Sequence, residues 1–256
     1  MSDSSQKKEQ EIQQDQYDFP YHYIPQREEG RFSQTRHWWW GFRYLGGFEV
    51  VFDQLGGSQF SSLVDVGCGD GRFLRELGSE YPDVTATGID YSKRAIDMAK
   101  ALNPGLDFRC VDLRSDEVNM SYNVVTLIEV LEHIPPDDID SFLDAITDIQ
   151  DPTGRTIITV PHENKPVQDK HFQHFSGAGL RDLLTPHFER IDLVPFDDIE
   201  SRGLKLARKL IGGRGSNVVV TNDWINQRFF DLYLDRYLYV PEAKCGRIAA
   251  VCQDPK

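Results

Sequence analysis

The sequence predicts an α/β fold of the doubly wound type, in which helices cover both faces of a mostly parallel, seven-stranded sheet. Two observations lead to this fold class. Short apolar segments alternate with amphipathic helical segments from residue 58 onward, which is typical of βαβ units. The first strand also ends in a turn with glycine at every second position (Gly67, Gly69 and Gly71), and a helix follows at once. Ligands of such folds bind at the carboxyl edge of the sheet.

The elements follow one another in a regular order. Strands are predicted near residues 62–66, 84–89, 106–111, 122–128, 154–160, 189–195 and 246–252, and helices near 71–80, 92–102, 137–149 and 176–184. An additional helix precedes the sheet and runs to about Leu55, where Gly56 and Gly57 end it. Between the sixth and seventh strands, a basic helix at 204–211 and an aromatic-rich helix at 224–239 form a helical insertion.

The chain divides into three predicted parts. Residues 1–16 are almost entirely polar and are expected to be disordered. Residues 17–57 form an N-terminal extension or lid, whose aromatic segment 17–24 we expect to lie over a surface. Residues 58–256 form the α/β domain, with the insertion at about 197–243.

Composition restricts the class of protein. The 256 residues carry a net charge of −13, which is unfavourable for electrostatic binding of nucleic acid over a large surface. We therefore do not expect a nucleic-acid partner. The four cysteines lack zinc-site spacing, so we expect buried free thiols in a reducing compartment: Cys68, Cys110, Cys245 and Cys252. No apolar run has the length of a membrane span, and the N-terminus lacks an apolar signal core. We expect a cytoplasmic protein.

An aspartate lies at the end of each of the first three strands. Asp65 precedes the glycine turn, and Asp90 follows Asp65 by about two dozen residues. An acid at the second position lies beside the glycine turn and can accept hydrogen bonds from both ribose hydroxyls of a nucleoside. Asp112, after the third strand, is placed to reach an adenine amino group.

This order of strands, acids and glycines resembles the class I S-adenosylmethionine (SAM) methyltransferases, over about residues 63–161. The resemblance implies a SAM-binding methyltransferase domain with a Rossmann-like sheet and an antiparallel seventh strand. It also implies that Asp65 and the glycine loop hold the amino-acid end of SAM. Ile128 and Glu129, just past the fourth strand, are then expected to line the region beside the sulfonium. The implied cofactor-binding residues are Asp65, Gly67, Cys68, Gly69, Gly71, Asp90, Tyr91, Asp112, Leu113, Ile128 and Glu129. The rival at the level of the fold is an NAD oxidoreductase, but Arg72 stands where the third glycine of its G-x-G-x-x-G loop would fall.

The string E-V-L-E-H-I-P at 129–135 resembles small-molecule O-methyltransferases of the ubiquinone group and also small-RNA 2′-O-methyltransferases. That resemblance implies a divalent metal (Mg, Mn or Zn) held by Glu129, Glu132, His133 and a later histidine. His171 is the preferred match for the later histidine, and His174 is the alternative. Without a metal, a loop histidine acts as a general base, and His133, His171 and His174 are the catalytic candidates. His162 is expected on the same edge.

Two further segments bear on the acceptor. The cluster Trp38–Trp40 and the helical insertion resemble methyltransferases of surface-polysaccharide and glycolipid pathways, which implies a glycan acceptor; packing as a lid is the alternative. Residues 202–211 carry Lys205, Arg208 and Lys209 in an acidic chain. They predict either contact with an anionic acceptor or a membrane surface, or a solvated helix packed by its leucines.

These observations predict a SAM-dependent methyltransferase that acts on a hydroxyl of a small molecule, sugar or glycan. The alternatives are a metal-dependent RNA 2′-O-methyltransferase and a non-catalytic SAM-binding regulatory protein. The sequence leaves the oligomeric state and the identity of the acceptor open.

Overall fold

The computed structural model describes residues 25–28, 31–34, 38–56, 59–116, 118, 120–210 and 222–256. The strands are β1 (Pro25–Glu28), β2 (Arg31–Gln34), β3 (Ser62–Val66), β4 (Thr85–Asp90), β5 (Asp107–Cys110), β6 (Tyr122–Ile128), β7 (Gln150–Pro161), β8 (Phe188–Asp198) and β9 (Cys245–Pro255). The α-helices are α1 (Trp38–Leu55), α2 (Arg72–Glu80), α3 (Lys93–Leu102), α4 (Ile139–Ile149), α5 (Gly177–Leu184), α6 (Arg202–Leu210) and α7 (Asp223–Tyr233).

The predicted seven-stranded sheet is confirmed. Its strands lie in the order β5-β4-β3-β6-β7-β9-β8. The strands from β5 to β7 pair in parallel, whereas β9 is inserted antiparallel between β7 and β8. All parallel strands therefore present their carboxyl ends at one edge.

Two apolar layers cover the two faces of the sheet. Successive residues of β3 point to opposite faces, so that Leu63 belongs to one buried cluster and Val64 to the other. The first layer contains apolar side chains of α1, α2, α3 and α7, and the second contains those of α4 and α5. Helices thus lie on both faces, as the alternation of elements predicts.

Some features differ from the prediction. Strands β1 and β2 pair as an antiparallel hairpin that the sequence did not predict, because their residues are mostly polar and show no apolar alternation. The predicted helix 224–239 is α-helical only to Tyr233, and a π-helical turn, Leu234–Leu238, follows. The prediction of buried thiols is wrong for Cys110, since β5 lies at the edge of the sheet and buries only Phe108. The segments 1–16 and 17–24 lie outside the described residues.

The fully buried carboxylate of Asp197 links helix α1 and the helical insertion to the sheet. Asp197 Oδ1 lies 2.9 Å from Arg43 Nε of α1, and Asp197 Oδ2 lies 3.0 Å from Lys165 Nζ and 3.4 Å from Arg247 Nε. Tyr233 of α7 donates its hydroxyl to Oδ1 at 3.3 Å. Burial alone would raise the pKa of Asp197, but the three cations outweigh it and hold that pKa below its usual range. The insertion and α1 are therefore fixed around the strand ends.

No helix in the described ranges is both long enough and apolar enough to cross a membrane.

Candidate functional site

A cleft opens at the carboxyl edge of the sheet, where β3, β4 and β6 end. Its cavity volume is about 120 Å³, and the cleft opens to solvent. Of the predicted residues, seven line it: Gly67, Asp90, Tyr91, Asp112, Leu113, Glu129 and His133. Strand register brings them together from sequence positions more than 60 residues apart.

The glycine turn forms one wall of the cleft. Gly67, Gly69 and Gly71 all have positive φ angles, of 71°, 56° and 78°. A Cβ on Gly67 would come within 2.7 Å of Val130 Cγ2, and a Cβ on Gly71 within 2.5 Å of Phe108 Cζ. Both the backbone conformation and the available space therefore require glycine.

Asp90 ends β4 with its carboxylate already oriented. One carboxylate oxygen accepts from the backbone N–H of Gly69 at 3.0 Å, and the other accepts from that of Ser92 at 2.8 Å. Burial raises the pKa of Asp90 to about 6, although both N–H groups act to lower it. Each carboxylate oxygen has a second lone pair, so the group can still accept two hydroxyl donors.

Asp112 lines the cleft but has a partner that the sequence did not indicate. Its carboxylate accepts from Arg114 Nε at 2.9 Å and from Arg114 Nη2 at 2.8 Å. The hydrogen bonds from Arg114 hold the pKa of Asp112 below its usual range despite partial burial. The guanidinium carbon of Arg114 also lies 5.8 Å from the ring centroid of Tyr91. A nucleobase bound beside Asp112 would meet an ion pair next to an aromatic ring, rather than a solvated carboxylate.

Five of the predicted cofactor-binding residues are not among those that line the cleft: Asp65, Cys68, Gly69, Gly71 and Ile128. Asp65 is 3% exposed, and its carboxylate accepts from Thr126 Oγ1 at 2.7 Å. Burial raises its pKa to about 7, with a further contribution from the charge of Asp90, while the bond from Thr126 opposes the rise. Asp65 therefore lies beneath the glycine turn as a buried acid.

Glu129 follows β6 in a strained conformation. Its φ angle is 57°, which a residue with a Cβ adopts at a cost of roughly 1–2 kcal/mol. Its backbone N–H donates to Thr159 O at 3.0 Å, and its carboxylate accepts from Thr159 Oγ1 at 3.2 Å. The neighbouring strand β7 thus holds the Glu129 side chain in the cleft wall.

The fold brings Glu132, His133 and His171 together. One ligand atom of each lies within 4.8 Å of the others, and Glu132 Oε1 is 4.0 Å from His133 Nε2. The Glu132 side chain is fully buried, and within the described part of the chain neither carboxylate oxygen has a hydrogen-bond partner. Burial, and then the charge of Glu129, raises the pKa of Glu132 well above its usual range.

Burial also keeps the imidazoles of this group neutral. It lowers the pKa of His133 to about 4 and that of His171 to about 3, with smaller effects of neighbouring charges in the same direction. His174 is joined to His171 by a contact of 2.8 Å. His162 lies apart from the group, 3.4 Å from Glu242.

The acceptor segments are described only in part. Helices α1 and α6 begin at Trp38 and Arg202, but the side chains of Trp38–Trp40, Arg208 and Lys209 lie outside the described residues. Lys205 Nζ donates to Ile199 O at 3.1 Å. Leu204 is buried, while Leu206 is exposed.

Sequence reasoning missed several residues of the cleft wall. Arg114 stands two positions after Asp112, a spacing that could have indicated the ion pair. Phe172 lies between the two loop histidines in the sequence, and its side chain lines the cleft. The apolar wall formed by Val130, Ile134 and Phe142 had no signal beyond ordinary core composition.

Comparison with known proteins gives a consistent result. A family model described as "Methyltransferase domain" matches residues 36–199. The ubiquinone biosynthesis O-methyltransferase of Nitrosomonas europaea is 33% identical over 120 residues, which is 41% of this chain and 50% of that protein. The demethylspheroidene O-methyltransferase of Rhodobacter capsulatus is 32% identical over 97 residues, covering 38% of this chain and 24% of that protein. The chain spans about half the length of the first curated relatives or less.

Solved structures share the fold. A SAM dependent methyltransferase from Archaeoglobus fulgidus superposes with a TM-score of 0.56 at 17% identity, covering 84% of this chain and 94% of that one. The N-methyltransferase NodS from Bradyrhizobium japonicum, in complex with S-adenosyl-l-homocysteine, gives 0.54 at 14% identity, covering 84% and 88%.

The raised pKa of Asp65 predicts a pH-dependent stability. The folded state holds this proton up to about pH 7 and the unfolded state only to about 3.8, so ionisation destabilises the fold as pH rises between these values. We expect Asp65→Asn, which keeps the acceptor for Thr126, to gain stability over wild type across this window, by up to roughly 4 kcal/mol. Urea unfolding from pH 4 to pH 8 measures the difference. Parallel curves for the two proteins would contradict the assignment.

Proposed function

The chain belongs to the class I methyltransferase-domain family, and we propose that it transfers a methyl group from SAM to a hydroxyl of a small-molecule acceptor. The observation that carries the proposal is the cleft at the sheet edge. There the glycine turn and Asp90 lie near the group formed by Glu132, His133 and His171, which we call the carboxylate–imidazole group. Two of the curated relatives named above are O-methyltransferases, which supports oxygen as the accepting atom.

The residues of the cleft fit a nucleoside with a cationic tail. Asp90, fixed by two backbone N–H groups, would accept the ribose hydroxyls. Leu113 and Tyr91 offer apolar surface for the adenine. The Glu129 carboxylate lies in the same wall and favours a positive charge beside it. SAM, when bound, supplies a methyl group on a positively charged sulfur.

The acceptor hydroxyl must lose a proton during methyl transfer. His133 and His171 are neutral at physiological pH, so each ring keeps a lone pair, but pKa values of about 4 and about 3 make them weak bases for the hydroxyl proton. His133 lines the cleft together with Glu129, and His171 belongs to the same group as His133, which supports a role for these rings at the reactive end rather than at the adenine end. The main contribution of the fold is alignment, because the sulfonium already activates the methyl group.

A divalent cation fits the carboxylate–imidazole group. Glu132 is a buried carboxylate without a described partner, and a buried charge is stable only when it is paired or ligates a metal. The neutral imidazoles beside it complete a ligand set of oxygen and nitrogen atoms. Such a set suits Mn²⁺ or Zn²⁺ better than Mg²⁺, which prefers oxygen ligands. We therefore propose that Glu132, His133 and His171 would hold the ion, with Glu129 alongside. A bound cation would lower the pKa of a hydroxyl placed against it.

Methyl transfer tests the proposal directly. With SAM labelled in its methyl group, we expect transfer to a hydroxyl in a panel of catechols, sugars, nucleotide sugars and short RNAs. Asp90→Asn should weaken S-adenosylhomocysteine binding about 10- to 150-fold, because hydrogen bonds to a charged acceptor contribute about 1.5–3 kcal/mol. Calorimetry measures the affinity, and product NMR identifies the methylated atom.

The matched control is His187→Gln, since His187 Nδ1 lies 3.0 Å from Asp144 Oδ1 of α4 and His187 does not line the cleft. It should bind and turn over like wild type. Unchanged affinity in Asp90→Asn would overturn the placement of the ribose, methylation at nitrogen or carbon would overturn the choice of oxygen, and binding without transfer would favour a regulatory protein.

The metal is tested separately. We expect wild type to bind Mn²⁺ in a titration followed by electron paramagnetic resonance, and chelation to reduce methyl transfer until Mn²⁺ is restored. Glu132→Gln should lose Mn²⁺ binding without loss of thermal stability in chelator, because burial already opposes ionisation of this carboxyl group and no described hydrogen bond is lost with it. Glu163→Gln, at an exposed glutamate of the neighbouring loop, is the control. Full turnover in excess chelator would leave the histidines as bases only.

A further inference from the structure

The loop after β7 supplies two backbone carbonyls to the histidine group. Lys170 O lies 2.9 Å from His133 Nδ1, and Lys165 O lies 2.9 Å from His174 Nδ1. His174 Nε2 in turn lies 2.8 Å from His171 Nδ1. Two of these contacts thus join an imidazole ring to a backbone carbonyl of the loop, and the third joins the rings of His171 and His174.

These contacts fix where the protons lie. A carbonyl oxygen only accepts, so Nδ1 of His174 carries a proton, and in the neutral ring Nε2 is left as an acceptor. The proton in the contact between the two rings therefore belongs to His171 Nδ1. It follows that the lone pair of His171 lies on Nε2, and by the same reasoning that of His133 also lies on Nε2.

One ligand atom each of Glu132, His133 and His171 lies within 4.8 Å of the others. His133 Nε2 is 4.0 Å from Glu132 Oε1, and the rings of His133 and His171 meet edge to face with centroids 4.8 Å apart. Both nitrogens of His174 are engaged, so His174 has no lone pair to offer a metal. His174 thus cannot replace His171 as a ligand in this arrangement.

Lys165, whose carbonyl contacts His174, is itself held in place. The Lys165 ammonium lies 3.0 Å from Asp197 Oδ2, and the Lys165 N–H donates to His162 O at 3.0 Å. At the other end of the loop, Phe175 N–H donates to Pro161 O at 3.1 Å. The loop is therefore anchored on both sides of the histidines.

We propose that His174 is a positioning residue, which sets the tautomer of His171 so that the Nε2 lone pair faces Glu132 and His133. Its use in catalysis or in metal binding rests on the proposed function, but the tautomer itself does not. Partners of this kind, which orient a ligand through its second nitrogen, typically change metal affinity 10- to 100-fold when removed.

Nitrogen-15 NMR of the full chain labelled at histidine reads the tautomer directly. In wild type without metal, we expect His171 to show a protonated Nδ1 and an unprotonated Nε2, with its signals assigned by their loss in His171→Gln. His174→Phe keeps a ring but removes the acceptor, and it should return His171 to a protonated Nε2. His174→Gln offers an amide oxygen where Nε2 stood, and it should preserve the wild-type tautomer.

Mn²⁺ affinity provides the second readout. We expect His174→Phe to weaken binding 10- to 100-fold and His174→Gln to weaken it far less. If wild type binds no Mn²⁺, the metal proposal fails while the tautomer still decides the role of His174. A protonated Nε2 in wild-type His171, or an unchanged tautomer in a folded His174→Phe, would overturn the inference; the wild-type spectrum decides it even if the variant does not fold.

Discussion

The parallel register of β3 with β4 and β6 is the constraint on which the site depends. It sets Asp65 opposite Gly88 on one side and opposite Thr126 on the other, so that all three strands end at the same level. The glycine turn, Asp90 and Glu129 each follow one of these ends. A shift of register by one residue would send the side chains to the opposite face and separate the groups.

The electrostatics of this edge differ from those of the structural interior. Asp197 is surrounded by three cations, and its pKa is held low. Asp65, Asp90 and Glu132 are also buried, yet their pKa values are raised, and Glu129 adds a strained backbone. Buried carboxylates with raised pKa values and local strain destabilise the protein and concentrate at functional sites. A cationic ligand in the cleft would favour the ionised forms, which is consistent with the proposed sulfonium and metal.

The sequence predicted the sheet because its strands are apolar and separated by helical segments with clear ends. It predicted Asp90, because strand length and the glycine turn determine where that acid falls. The β1–β2 hairpin had no apolar signal, and the pairing of Arg114 with Asp112 depends on side-chain approach. The grouping of Arg43 and Arg247 around Asp197 arises from contacts over long sequence distances, which no local pattern records. The contact between His171 and His174 is close in sequence, but it depends on how the loop folds, which the residue types alone do not indicate.

The central claim is that the cleft is a SAM site rather than a dinucleotide site, and a comparison of two ligands tests it most directly. Thermal unfolding of the full chain should be followed with S-adenosylhomocysteine and with NAD at matched concentrations. We expect S-adenosylhomocysteine at about one hundred times its dissociation constant to add about 2.7 kcal/mol to the free energy of unfolding, and NAD to add nothing. Stabilisation by NAD without stabilisation by S-adenosylhomocysteine would contradict the account.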